Sequence, residues 1–100
     1  MVKHIVFWRL RTDLTPADRD TAMQRIKHGF EALPGKIPGL RKIEIGFDFG
    51  RGGDASDIVL YSEFESREAI AAYEAHPEHT ALVPLVRDVR TEKRVVDYDA

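Results

Sequence analysis

Residues 2–10, VKHIVFWRL, decide the fold. β-Branched and aromatic side chains dominate the run, which is the composition of a strand. Successive side chains of a strand point to opposite faces. His4, Val6, Trp8 and Leu10 therefore share one face, and Ile5 and Phe7 share the other. Both faces are apolar, so both need cover. Helices packed on one side of a sheet can supply only half of it.

Outward from this strand, residues 12–35, TDLTPADRDTAMQRIKHGFEALPG, read as a helix. Thr15 suits the N-cap and Pro16 the first helical position, and Asp18 and Asp20 suit the positive end. Ala22, Met23, Ile26, Phe30 and Leu33 recur at threes and fours, and Pro34-Gly35 stops the run. In residues 40–49, LRKIEIGFDF, Ile43, Ile45, Phe47 and Phe49 alternate with Lys42, Glu44 and Asp48, which predicts a second strand. GRGGDAS, residues 50–56, is a flexible connection without the Gly-Lys-Ser/Thr ending of a phosphate loop. DIVLYSEF, residues 57–64, is a third strand.

Ser66 caps a short helix, REAIAAYEA, that presents Ala69, Ile70 and Tyr73. The residue before a proline is pushed out of the helical region, so the chain breaks at His76-Pro77. Pro77 opens a further helical segment, residues 77–89, which Pro84 kinks or divides. EKRVVDY, residues 92–98, closes the chain as a fourth strand. The order βαββαβ predicts an α+β, ferredoxin-like subunit: a four-stranded antiparallel sheet with helices on one face. The other face would carry Ile5, Phe7, Val59 and Tyr61, a patch too apolar to leave in water. A second copy of the chain, sheet against sheet, covers it with two-fold symmetry. The expected partner is therefore the chain itself, as a homodimer.

Composition narrows the function. One hundred residues, 43% hydrophobic and 32% charged, suit one soluble domain spanning 1–100. The net charge is -2, and the basic cluster Arg87, Arg90, Lys93 and Arg94 is broken by Asp88 and Glu92. It reads as a solvated face, and no nucleic-acid partner is expected. The absence of cysteine removes disulfides, thiolate nucleophiles and cysteine-held metals, and fits a reducing cytoplasm. No apolar run reaches the length of a membrane span. Arg9 and Arg11 stand where a signal peptide would need small residues. No membrane partner is expected.

The chemistry-bearing side chains concentrate in YEAHPEH, residues 73–79, which holds two of the four histidines. Catalysis, metal binding and simple punctuation between helices are the three readings. His76, before a proline at a helix break, reads as a cap. His28 lies on the polar side of the first helix. His76 and His79 are three apart but have no evident third ligand, so no metal site is expected. His4 is either a core histidine bonded to backbone or a cavity residue. Tyr73 is either a core ring with its hydroxyl at the surface or a donor.

Four stretches together carry a family resemblance: VKHIVFWRL, the FES at 64–66, YEAHPEH, and the closing VVDYD at 95–99. They resemble the Dabb family, the stress-responsive dimeric α/β-barrel domain, over nearly the whole chain. The resemblance implies a ferredoxin-like subunit paired into a homodimeric α/β barrel. One catalytic branch, that of the plant polyketide cyclase olivetolic acid cyclase, closes a linear poly-β-ketone by an aldol-type condensation. By that likeness His79 is the general base, Tyr73 assists it, and His4 is a further cavity histidine. The branch's histidine near the start of the third strand is replaced here by Ile58, with Asp57 one residue earlier. Its aromatic first-helix positions are Ala22 and Ile26, and its apolar positions near the fourth strand are Arg90 and Lys93. A more polar ligand is therefore expected.

The implied pocket lies between sheet and helices, walled by Val6, Trp8, Ile26, Ile58, Leu60 and Phe64, with His4, Tyr73 and His79 toward its mouth. Removing a proton beside a carbonyl needs a base and a donor for the enolate oxygen. His79 is expected to be neutral because a positive helix end after Pro77 disfavours imidazolium. No metal or organic cofactor is needed for such a step. Two other readings stand beside it: a non-catalytic stress-response dimer binding a small ligand, and a monooxygenase-like enzyme suggested by fold analogy alone.

Overall fold

The computed structural model describes residues 1–100. Its elements are β1 (Val2–Leu10), α1 (Pro16–Glu31), β2 (Leu40–Phe47), β3 (Ile58–Phe64), α2 (Arg67–Ala75), α3 (Pro77–Thr80), α4 (Val83–Arg87) and β4 (Arg90–Asp99). The four strands form one antiparallel sheet in the order β2-β3-β1-β4. This is the ferredoxin-like arrangement that the element order predicts.

The local signals act where they stand. Thr15 Oγ1 accepts from the Asp18 N–H at 3.1 Å, and Pro16 opens α1. Ser66 Oγ accepts from the Ala69 N–H at 3.2 Å and starts α2. His76 ends α2 and caps α3: its Nδ1 accepts from the Glu78 N–H at 3.1 Å. This histidine is punctuation. Pro84 sits in the first turn of α4, so the segment after Pro77 is divided rather than kinked. The fourth strand starts two residues earlier than expected, at Arg90.

The helices cover one sheet face. His4, Val6, Trp8 and Leu10 of β1 are buried beneath them, with Ile43 and Ile45 of β2 and Ile58, Leu60 and Phe64 of β3. From above, Ile26, Phe30 and Leu33 of α1 and its extension, Ile70 and Tyr73 of α2, and Val86 of α4 close the core. Each large apolar side chain removed from water stabilises by roughly 1.5–3 kcal/mol. Asp57 clips the end of this sandwich: its carboxylate accepts from the Leu10 N–H at 2.7 Å and from Arg19 at 3.0 Å.

One boundary differs from expectation. Alternation carries β2 through Phe49, but the strand ends at Phe47 and Phe49 is 94% exposed. Asp48 turns the chain: its N–H donates to the Asp57 carbonyl at 3.0 Å, and its carboxylate accepts from the Arg51 N–H at 2.9 Å.

The second sheet face carries Ile5, Phe7, Val59 and Tyr61, all only half-buried. Lys3 donates to the Tyr61 hydroxyl and, at 2.8 Å, to Glu63 beside it. The edge strand β4 pairs only with β1 and lies largely in solvent. No helix is long and apolar enough to cross a membrane.

Candidate functional site

A cavity of about 100 Å³ opens between the sheet and the C-terminal helices. His4, Val6 and Trp8 of β1 and Leu60 of β3 form its floor. Phe30, Tyr73, His79, Val83 and Val86 come from the helical side. Of the expected wall residues, Val6, Trp8 and Leu60 line it. Ile26, Ile58 and Phe64 do not; they are buried in the single hydrophobic core. Phe64 stands behind the site, its ring 5.1 Å from Tyr73 and 6.1 Å from His4.

The structure brings His4, Tyr73 and His79 together. The Tyr73 and His79 rings are 4.4 Å apart, and the His4 ring lies 6.1 Å from Tyr73. The placement follows from the break at His76-Pro77. α2 ends with Tyr73 buried, and the single turn of α3 swings His79 back over it.

The tautomer of His79 follows from its contact. Nδ1 lies 3.1 Å from the Glu74 carbonyl oxygen, which can only accept. Nδ1–H therefore donates, and Nε2 carries the lone pair. Burial holds the His79 pKa below the ordinary histidine value, against an opposing pull from the Glu74 carbonyl and carboxylate; Lys93 and His4 add to the lowering. The neutral imidazole expected from the sequence thus has a different cause. α3 is four residues long, and desolvation of the ring, not a helix end, disfavours the cation.

Tyr73 is 1% exposed, and burial pushes its pKa above the ordinary tyrosine value, so it stays protonated. Its hydroxyl makes no hydrogen bond to the protein, yet no wholly buried polar side-chain atom lacks a partner. The hydroxyl therefore reaches the cavity. His4 is not bonded to backbone through its ring: Nδ1 donates to the Asp97 carboxylate. The two residues face each other in the β1–β4 register.

Sequence reasoning missed Asp97 as a site residue, although it stands in the closing VVDYD that carries the resemblance. It also read the 87–94 cluster as one solvated face. Arg87, Arg90 and Lys93 line the cavity, whereas Arg94 pairs with Phe7 and points to the opposite face of the sheet. No group of three or more His, Cys, Asp or Glu side chains converges on one point.

Fold and site together define a ferredoxin-like α+β subunit with a histidine- and tyrosine-lined cavity on the helical side of its sheet. The chain belongs to the Stress responsive A/B Barrel Domain family, Dabb, which matches residues 2–100. It is similar to a dimeric protein of unknown function with a ferredoxin-like fold from Bacteroides fragilis, 37% identical, covering 99% of this chain and 95% of that one with a TM-score of 0.92. Its fold is also shared by a putative antibiotic biosynthesis monooxygenase from Nitrosomonas europaea, 21% identical over 100% and 98% of the two chains with a TM-score of 0.77. A third similar structure is the hydroxynitrile lyase from Passiflora edulis, 20% identical over 97% and 90% with a TM-score of 0.78.

Proposed function

We propose that the chain is a small enzyme that removes a proton from the carbon next to a carbonyl group, as an aldol or cyclisation step requires. His79 is the base and Tyr73 the donor to the enolate oxygen. The observation that carries the reading is the His79 ring, fixed through Nδ1–H on the Glu74 carbonyl and 4.4 Å from the Tyr73 ring at a cavity. His79 Nε2 takes the proton, the C–H electron pair forms the enolate, and Tyr73 O–H donates to the new oxyanion. In an aldol step the enolate carbon then attacks a second carbonyl, and the alkoxide takes the proton back from the imidazolium. A donor in a site shielded from water stabilises developing charge far more than it would in bulk solvent. His4, oriented by Asp97, supplies a second histidine ring 6.1 Å from Tyr73. The likeness to a named monooxygenase and a named lyase, at 21% and 20% identity, speaks to the fold, so the chemistry rests on the site.

The reading includes a homodimer, supported by the half-buried apolar sheet face and by a dimeric relative in fold. It also puts the protein in the cytoplasm, where a cysteine-free fold loses nothing to reduction; recovery in a membrane or extracellular fraction would contradict that. The chemistry is tested by deuterium exchange. In D₂O the protein should speed deuterium incorporation beside the carbonyl of simple methyl ketones, and His79→Ala should slow it by about 10²–10⁴-fold. No exchange with any ketone would leave the non-catalytic binding dimer.

A further inference from the structure

We infer that the ligand carries a carboxylate, held by Arg87, Arg90 and Lys93 at the cavity mouth while its carbonyl faces His79 and Tyr73. The carboxylate assignment rests on the proton-abstraction reading for the placement of the carbonyl.

The three cations come from two elements, Arg87 from the last residue of α4 and Arg90 and Lys93 from β4, and they meet at one cavity. None of them has an ion-pair partner. Of the twelve other cations, Lys3, Arg9, Arg11, Arg19, Lys27, Arg41 and Arg67 sit on a carboxylate and Arg25, Lys36, Lys42, Arg51 and Arg94 do not, so what sets these three apart is their convergence on one cavity. Two acids near the rim in sequence and register are engaged with other groups, and Asp88, next to Arg87 in the chain, does not line the cavity. Glu92 faces Arg9 at 3.7 Å, and Asp97 takes the His4 N–H. Glu74 is the one carboxylate on the cavity lining, against three cations. Unneutralised like charges around a cleft repel each other and raise the local concentration of anions.

The size of the cavity fixes the other half of the ligand. The cavity is partly open and measures about 100 Å³, less than the ~150 Å³ of an apolar cavity that accepts benzene. Only a short ketone head fits inside, and the charged end must remain at the rim. Two guanidinium groups there suit a planar, two-oxygen acceptor, because their paired N–H donors match its geometry. A short keto acid has both parts. The lowered proton affinity of His79, to which Lys93 contributes, agrees with an uncompensated positive rim.

The probes are levulinate (4-oxopentanoate), its uncharged amide, and inorganic phosphate, titrated into the intact protein and followed by calorimetry and by the His79 ring resonances. Levulinate should bind roughly tenfold tighter than the amide, and Arg90→Gln and Lys93→Gln should each weaken it roughly three- to tenfold without touching amide binding. Both substituted residues lie at the surface rim, so folding is not at stake. A salt titration of the unmodified protein gives an independent check, since the preference should shrink with ionic strength. Equal binding of acid and amide would overturn the inference, as would a preference that survives the two substitutions. Phosphate binding as tightly as levulinate, with the same His79 response, would also overturn it, since the rim would then read any oxyanion. Deuterium exchange in the same samples separates the two levels. A levulinate preference without exchange on any ketone refutes the base chemistry and leaves the rim. Exchange as fast on neutral ketones as on levulinate refutes the rim and leaves the base.

Discussion

The His79 ring is half-buried against Tyr73 and Phe30, and the work of that burial is to keep the ring neutral. A base must be unprotonated to act, so the exchange rate should rise with pH with its half-maximum below the ordinary histidine value of 6.5. A rate that is half-maximal at or above that value would remove His79 from the role. The same shift acts on stability. The unfolded chain takes up the proton near 6.5, while the folded ring resists it, so the unfolded state binds more protons between the two values. The contribution is therefore complete above 6.5 and is lost as the pH falls through the lower, folded value. Urea denaturation should show His79→Ala losing less stability than the parent chain over that interval. Tyr73→Phe separates chemistry from packing even more sharply. The hydroxyl has no protein partner, so its removal should change stability by less than about 0.5 kcal/mol. The same change should slow exchange by roughly 10–10²-fold, because an oxyanion donor is gone and the ring remains. A large loss of stability would mean that the hydroxyl serves the fold.

Element by element, the chain was legible where a signal is local and illegible where it depends on register. The caps at Thr15 and Ser66 and the break at His76-Pro77 are one-turn events that neighbouring residues specify, and each lies where the sequence puts it. Tyr73 and His79 could be placed together for the same reason, since a single turn links them. The end of β2 failed because alternation cannot see that Asp48 is held by Arg51 and Asp57. The Asp97–His4 bond and the cationic rim are legible only once β4 is laid beside β1, across 93 residues of sequence. One element junction offers a clean test of packing. Gly39 has φ +83°, and a Cβ there would stand 2.7 Å from the Ala69 Cβ of α2. Gly35 has φ +90° and open space around it. Both glycines need the left-handed conformation, which costs an L-residue about 1–2 kcal/mol. Gly35→Ala should lose that much, and Gly39→Ala should lose ~2–4 kcal/mol, since the loop into β2 must also lift from α2. Equal losses, read from thermal melting, would show that the contact with α2 yields freely.

At the scale of the whole molecule, the unsolved term is the sheet face that the helices do not reach. Ile5 and Phe7 stand at its centre, flanked by Val59 and Tyr61 on β3 and by Val96 and Tyr98 on β4. Val96 is 51% exposed and Tyr98 45%, so the row is incompletely covered across three strands. Lys3 and Glu63 pair beside Tyr61, and Lys42, Glu44, Arg9 and Glu92 form a charged rim around the apolar centre of this face. Arg94 is opposite Phe7 and can turn outward at the edge. A surface of this kind is self-complementary under a two-fold axis: the apolar centre meets itself, and the polar rim closes around it. Sedimentation at micromolar concentration should give twice the chain mass. Phe7→Glu places an unpaired carboxylate in the centre of that interface, and an unpartnered buried charge costs about 3–5 kcal/mol. The substitution should therefore weaken the dimer by roughly 10²–10³-fold or more. If that variant loses its fold, Val96→Glu probes the same face from the edge strand, where a folded monomer is the expected product. A parent chain that sediments as a monomer and binds no apolar dye would end the pairing argument, because the face would then be stable in water as it stands.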